Sequence, residues 1–397
     1  MSEIVFASRV SGVKPSAIRE ILKLSADPSV IALSAGNPSA ASFPIEEVRR
    51  YTEEILREEP NIALQYGVTE GYGPLRDLLK KVCKERYGAF SEGDDLIVTT
   101  GAQQAIDFTT KVLLNEGDTI IAEGPTFVGA LTAFRSYGAN VVQIPLTEGG
   151  LDPAEVENAL KLNPNARFIY VIPNFQNPTG LTMPLKTRLE LLKLAKQYGV
   201  FILEDNPYHD LRFAGEELPT IKSLDTDGIV IYVGSMSKIL SPGLRVGYVV
   251  AKKEIIAKIT VAKQCSDVHT PLLNQMICYK FLTESDLPKH IKSIQGIYKL
   301  KSGLMIDALK KYGEGVIEFS EPEGGLFIWC TLPEGVDMID FCKRLIERKV
   351  AVVPGSAFYA DDAAPRQTFR INFSSPTDEN IEKGVKAVCE LAKEMLN

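Results

Sequence analysis

The chain is poor in histidine, and its cysteines follow no pattern. Three histidines, at 209, 269 and 290, stand far apart and never at helical spacing, so no zinc site or other metal site is expected. The six cysteines (83, 265, 278, 330, 342 and 389) never form C-x-x-C, which predicts free thiols in a reducing cytoplasm. No apolar run approaches the ~18 residues of a membrane span. The start, Met1-Ser2-Glu3-Ile4-Val5-Phe6, lacks the basic and apolar segments of a signal peptide. A basic excess is missing too. With 44 Lys and Arg against 51 Asp and Glu, the formal net charge is -7, which argues against a nucleic-acid partner. No G-x-x-x-x-G-K-[ST] occurs, which excludes a P-loop. Gly71-Tyr72-Gly73 opens like a dinucleotide fingerprint, but Arg76 stands where the third glycine would fall and no strand precedes it.

What is present is an ordinary globular composition, 45% hydrophobic and 24% charged over 397 residues, enough for about two domains. Apolar, β-rich runs recur at 95–100, 119–122, 140–144, 167–172, 200–204, 229–233 and 246–251. Helical patterns separate most of them, as at Ala102–Leu114, Thr126–Tyr137, Asp152–Lys161 and Leu185–Tyr198. This alternation predicts an α/β unit with a mostly parallel, seven-stranded sheet covered on both faces. The run at 246–251 follows its neighbour too closely for an intervening helix and is expected to be antiparallel. After a helical region near 253–310 the rhythm changes to that of a smaller α+β domain. The expected division is 1–45 as arm and part of the small domain, 46–290 as the large domain and 291–397 as the C-terminal small domain. In the arm, Pro15-Ser16-Ala17-Ile18-Arg19 reads as a helix start.

In an open parallel sheet, ligands bind beyond the carboxyl ends of the strands. Five of the predicted strands here are followed by candidate ligand groups. Gly101-Ala102-Gln103 opens a helix, whose free N–H groups favour a phosphate. Phe127 follows the second run, Asn177 the fourth, and Asp205 and Tyr208 the fifth. After the sixth run come Ser235, Ser237, Lys238 and Arg245: small and hydroxylic residues, an amine able to form a Schiff base, and a guanidinium that matches phosphate. Singly, each has an ordinary explanation. Phe127 would be core, Asn177-Pro178-Thr179-Gly180 a turn, Asp205 a local cap, Lys238 a solvated lysine and Arg370 a strand-surface arginine. Together they suit a phosphorylated aromatic ring carrying an aldehyde, which is pyridoxal 5′-phosphate (PLP).

The motifs Pro15-Ser16-Ala17-Ile18-Arg19, Leu64-Gln65-Tyr66, Asn177-Pro178-Thr179-Gly180, Glu204-Asp205-Asn206-Pro207-Tyr208, Ser235-Met236-Ser237-Lys238, Gly243-Leu244-Arg245 and Phe369-Arg370 occur in one order along nearly the whole chain. With them the sequence resembles the class I, fold-type I PLP-dependent aminotransferases, and among these the 2-aminoadipate and kynurenine aminotransferases. The resemblance implies a ping-pong transfer of an amino group from an L-amino acid to a 2-oxo acid such as 2-oxoglutarate. It also implies a homodimer with shared active sites. Lys238 would carry the cofactor, Asp205 would pair with its ring nitrogen, and Tyr208 and Asn177 would bond the ring oxygen. Gly101, Ala102, Gln103, Ser235, Ser237 and Arg245 would hold the phosphate, with Tyr66 from the partner subunit, and Phe127 would stack on the ring. Arg370 would clamp the substrate carboxylate with Asn177 and the Gly36 backbone, and Arg19 would meet a distal carboxylate or swing away from other side chains.

Two residues depart from the family's pattern. Ala102 stands where relatives often have a hydroxyl residue, and Phe127 where tyrosine or tryptophan is common. A β-lyase or cyclising synthase of the same fold type would use the same groups and is the alternative reading. A non-catalytic aminotransferase-like sensor is a third, though the acidic chain lacks a basic DNA-reading segment.

Overall fold

A computed structural model describes Phe6, residues 27–361 and residues 366–396. The expected N-terminal helix start at Pro15, and Arg19 with it, lie outside these residues. The first strand is β1 (Ile31–Ala32). Then β2 (Asp94–Thr99), β3 (Thr119–Gly124), β4 (Asn140–Thr147), β5 (Gly150–Leu151), β6 (Ala166–Val171), β7 (Phe201–Asp205), β8 (Val230–Ser235) and β9 (Gly247–Lys252) form one sheet in the order β2-β9-β8-β7-β6-β3-β4-β5. Strands β8, β7, β6, β3 and β4 run parallel, while β9 is antiparallel to both its neighbours, as its short connection predicts. The expectation of seven strands is corrected to eight. The extra one, β5, is a two-residue return antiparallel to β4, too short to show a period of two.

The sheet is apolar on both faces, so alternate residues of each strand enter different cores. Ile97, Ala122, Tyr170, Leu203 and Val233 pack in one layer. Their neighbours in sequence pack on the other face, Leu96, Val98 and Tyr232 in one cluster and Ile121, Ile169 and Ile202 in another. Consecutive acids on β7 therefore part company. Glu204 turns away and accepts the Ile221 and Lys222 N–H groups at 3.1 and 2.7 Å, while Asp205 faces the opposite layer. Because β2 and β8 are both antiparallel to β9, they run in the same direction. The carboxyl ends of β2, β3, β6, β7 and β8 thus share one edge.

The helical region near 253–310 resolves into Lys253–Gln264, Leu272–Glu284 and Leu287–Gly313, interrupted at Pro271 and at Asp286, whose side chain caps the Lys289 N–H. Beyond it, β10 (Glu318–Phe319), β11 (Phe327–Thr331), β13 (Val353–Pro354) and β14 (Thr368–Asn372) make an antiparallel sheet in the order β10-β11-β14-β13. Between them, β12 (Val350–Ala351) pairs in parallel with β1. The chain after β1 stays with this unit: Leu33 O accepts the Asn372 N–H at 2.8 Å, and Asn37 O accepts the Ser374 hydroxyl at 2.6 Å. Residues 31–37 are thereby carried to the edge where the large sheet presents its polar groups. Among the described residues no helix is long and apolar enough to cross a membrane, and no group of His, Cys, Asp or Glu could hold a metal ion.

Candidate active site

Lys238 follows β8 in a tight loop in which Met236 N bonds Val246 O and Leu240 N bonds Met236 O. Its Nζ donates to Gly36 O at 3.0 Å and lies 5.8 Å from the Tyr208 ring centre. Burial, then the charges of Arg370 and Arg245, bring its ammonium down to about 8, against a smaller opposing pull from Asp205. The amine is thus available in neutral form near physiological pH. Asp205 is buried, and burial lifts its carboxyl to about 6 while the Tyr170 hydroxyl and Lys238 pull it back. Tyr170 donates to Asp205 Oδ2 at 2.8 Å, and Oδ1 has no partner among the described residues. Sequence reasoning missed Tyr170. Only the register reveals it: Tyr170 pairs with Leu203 across β6 and β7, and Asp205 is two residues on, on the same face.

Gly101 precedes the helix Ala102–Leu113 at φ 78°, a conformation that favours glycine, and a Cβ there would strike the Arg245 guanidinium. Gly247 is as tightly placed, since a Cβ on it would come 2.6 Å from the Gly101 carbonyl carbon. Register places Gly247 opposite both Thr99 and Ser235, so the ends of three strands converge on the start of that helix. Arg245, itself at φ 55°, is exposed and reaches Thr100 O at 3.2 Å. Ser235 Oγ accepts the Ser237 N–H. Helix N–H groups, hydroxyls and a guanidinium make an anion cradle. Gln103 sits at its rim and donates to Gly129 O at 2.8 Å, and Phe127 is half-buried directly before the helix Val128–Ser136. Tyr66 is not at this site within the chain: it is 82% exposed and meets the His269 ring edge-on.

Arg370 comes from the small sheet. The alternation on β14 groups it with Thr368 and Asn372, and it is buried rather than on the strand's surface. Nη1 donates to Asn177 Oδ1 and Nη2 to Ser34 O, both at 2.8 Å, and Nε has no partner among the described residues. The Phe327 and Phe358 rings lie 4.3 and 5.1 Å from its central carbon. Burial lowers the guanidinium to about 10, and among the described residues no carboxylate pairs with it. A buried cation held only by neutral acceptors is poised for an anion.

These residues fit pyridoxal phosphate on observations of the protein itself. The orphaned Asp205 oxygen suits a ring N–H, the glycine-lined cradle suits a phosphate, and Lys238 supplies a partly neutral amine. Behind them, Glu123 is fully buried and accepts from Ile172 N and Gln176 Nε2, both at 3.1 Å. Burial pushes its carboxyl from 4.5 up to about 8; the two hydrogen bonds oppose this and Asp205 adds to it. A raised folded-state value means that this group's stabilisation is complete below about 4.5 and is lost as pH rises through about 8. Apo-protein melting temperature is expected to decline over that range, and Glu123→Gln to flatten the decline by roughly a few degrees. Parallel pH profiles for the two proteins would show that Glu123 does not hold a proton in the fold.

Comparison with known proteins agrees with this chemistry. Residues 28–388 match the family model for aminotransferase class I and II. The chain is 41% identical to aromatic-amino-acid aminotransferase 1 of Thermococcus litoralis, covering 99% of this chain and 95% of that protein. It superposes on the Pyrococcus horikoshii kynurenine aminotransferase, solved in complex with PMP, with a TM-score of 0.95 and 39% identity over 99% of this chain and 98% of the other. LysN, the α-aminoadipate aminotransferase of Thermus thermophilus, solved with N-(5′-phosphopyridoxyl)-L-leucine, gives a TM-score of 0.91 and 36% identity over 98% of each chain. A lysine, an acid and a glycine-led helix start at one sheet edge, with a buried arginine from the small sheet, are thus found in a chain that belongs to the class I and II aminotransferases and depends on pyridoxal phosphate.

Proposed function

We propose that this transaminase takes the amino group of an L-amino acid, either 2-aminoadipate or one with an aromatic or aliphatic side chain, and passes it to a 2-oxo acid such as 2-oxoglutarate. The observation that carries the reading is Arg370: buried, cationic, bonded among the described residues only to Asn177 and a backbone carbonyl, and close enough to depress the Lys238 ammonium. Amino acids and 2-oxo acids share the α-carboxylate that such a group receives. The range of donors rests on the names of the relatives.

When bound, pyridoxal phosphate supplies an aldehyde that captures amines and a ring that takes up the electrons left at Cα. The chain's own groups would then act as follows. Gly101, Ala102, Gln103, Ser235, Ser237 and Arg245 hold the phosphate, and Phe127 covers the ring. The orphaned Asp205 oxygen, oriented by Tyr170, keeps the ring nitrogen protonated. Asn177 and Tyr208 donate to the ring oxygen. Arg370, with Asn177 and the Gly36 backbone, would hold the substrate carboxylate. With the carboxylate held there, the Lys238 amine would carry the proton lost from Cα.

The enzyme works as a cytoplasmic homodimer in which Tyr66 completes the partner's phosphate site. Support for this comes from the exposed apolar run of Ile62, Leu64, Tyr66 and Val68, and from free cysteines among the described residues. The chain divides near residues 45 and 290, a reading supported by the pairing of β1 with β12.

Incubation of a panel of amino donors with 2-oxoglutarate, followed by assay of glutamate, tests the reading. Pyruvate and ammonia formed without an acceptor would instead mark a β-lyase. Within the same panel, Arg19→Ala is expected to weaken 2-aminoadipate and glutamate more than leucine and phenylalanine. Equal losses for all four would remove Arg19 from substrate selection.

A further inference from the structure

Gln176 immediately precedes Asn177 and is 2% exposed, yet none of its hydrogen-bonding capacity is idle. Nε2 donates to Glu123 Oε2 at 3.1 Å and to Pro125 O at 2.8 Å. Oε1 accepts the Thr179 N–H at 2.9 Å and the Thr179 hydroxyl at 2.7 Å. Two donors and two acceptor sites are all that a primary amide has. Its orientation is not ambiguous, because Pro125 O can only accept and Thr179 N can only donate. The backbone is pinned as well: Gln176 N bonds Leu181 O, and Gly180 N bonds Gln176 O.

The amide therefore ties two loops that arise from different strands. One leaves β3 through Pro125 and Thr126 to Phe127. The other leaves β6 and presents Asn177. Glu123, on β3, anchors the tie from below through the same oxygen that receives Ile172 N. Asn177 has one fixed contact to the small sheet, its Oδ1 to Arg370 Nη1. Since Arg370 is only a donor, that contact commits the Asn177 oxygen and turns its NH₂ toward the Tyr208 side, where the two side chains interact.

We propose that Gln176, anchored by Glu123, is a positioning residue that sets Asn177 and the Phe127 loop as one rigid face of the cofactor site, and through Asn177 sets Arg370. The proposal rests on the role given above to Asn177 at the ring oxygen and at the substrate carboxylate. Loosening Asn177 has two consequences that loss of stability alone would not produce. A weaker hydrogen bond to the ring-oxygen anion favours protonation, which raises the pH at which the bound cofactor's absorption changes. A displaced Arg370 raises KM for the amino acid more than it lowers kcat.

The experiment compares Gln176→Met, which keeps volume without hydrogen bonds, with wild-type holoenzyme. Absorbance is followed against pH, steady-state kinetics are measured, and cofactor attachment at Lys238 is mapped after borohydride reduction. The expected result is a midpoint raised by about 0.5–1 unit, the scale of one weakened hydrogen bond, together with a raised KM. If Gln176→Met does not fold, Thr179→Val, which removes one of the four Gln176 bonds and the long 3.3 Å bond from Leu181 N, is expected to shift both readouts in the same direction by less. Wild-type midpoint and KM in the folded variants, with only a lower melting temperature, would overturn the brace while leaving the site reading intact. A wild-type enzyme with no label at Lys238 would overturn both.

Discussion

Lys238→Ala is expected to lower kcat by at least ~10²–10⁴-fold, the contribution of a positioned acid–base group, and to abolish borohydride fixation of the cofactor. The chain has other buried lysines, but they are committed to carboxylates. Lys222 lies 3.0 Å from Asp94, and Lys263 lies 2.9 Å from Asp267. Such pairing satisfies the ammonium and fixes it in place. Lys238 differs because its partner is a neutral carbonyl, Gly36 O, and because two guanidinium groups oppose its charge. It can thus release its proton near pH 8, attack an aldehyde, and afterwards exchange a proton with the substrate carbon. Losing the amine removes both the nucleophile and the base. Adding a small primary amine is expected to restore part of the rate by replacing the missing base. Wild-type turnover in a folded Lys238→Ala protein would take this residue out of the chemistry.

The second large effect is expected at Arg370. Truncating one member of a buried, hydrogen-bonded charge pair costs ~2–5 kcal/mol, so Arg370→Leu should lower kcat/KM by roughly 30- to 4,000-fold. The loss should fall on the amino acid and the 2-oxo acid alike, since both present the same carboxylate. Arg370→Lys should recover little. A single ammonium cannot bond Asn177 Oδ1 and Ser34 O while offering a planar fork to a third group. Unchanged KM for both substrates in Arg370→Leu would place the carboxylate elsewhere. Melting temperature is a useful companion measurement, because removing a buried cation flanked by Phe327 and Phe358 should not destabilise the substrate-free protein severely.

Much of this site can be read from the order of residues alone, and the reason is local. A parallel sheet delivers whatever follows each strand to one edge, so Asp205, Tyr208, Lys238 and Asn177 need only be recognised as strand-end residues. Gly101 and Arg245 are legible in the same way. Burial was legible only in part. A period of two grouped Arg370 with Asn372, but whether that face meets water or Phe327 depends on what packs against it. Strand order was not legible either. The antiparallel β9 inserts between β2 and β8, and nothing local to residues 94–99 indicates which neighbour they will have.

The sequence by itself determined the chemical inventory: the amine, the acid, the glycine-led helix start and the small-domain arginine, each set by its position after a strand or on one. Tertiary structure alone decided which neutral groups hold them. Gly36 O meets Lys238 across 202 positions, Ser34 O meets Arg370 across 336, and Tyr170 meets Asp205 across 35. Nothing local to Gln176 announces Glu123 and Pro125 as its partners. Periodicity reports the face on which a residue lies, a property of the local backbone. The partner it finds there depends on how distant segments close on one another, and hydrogen bonds between such segments leave no spacing in the chain.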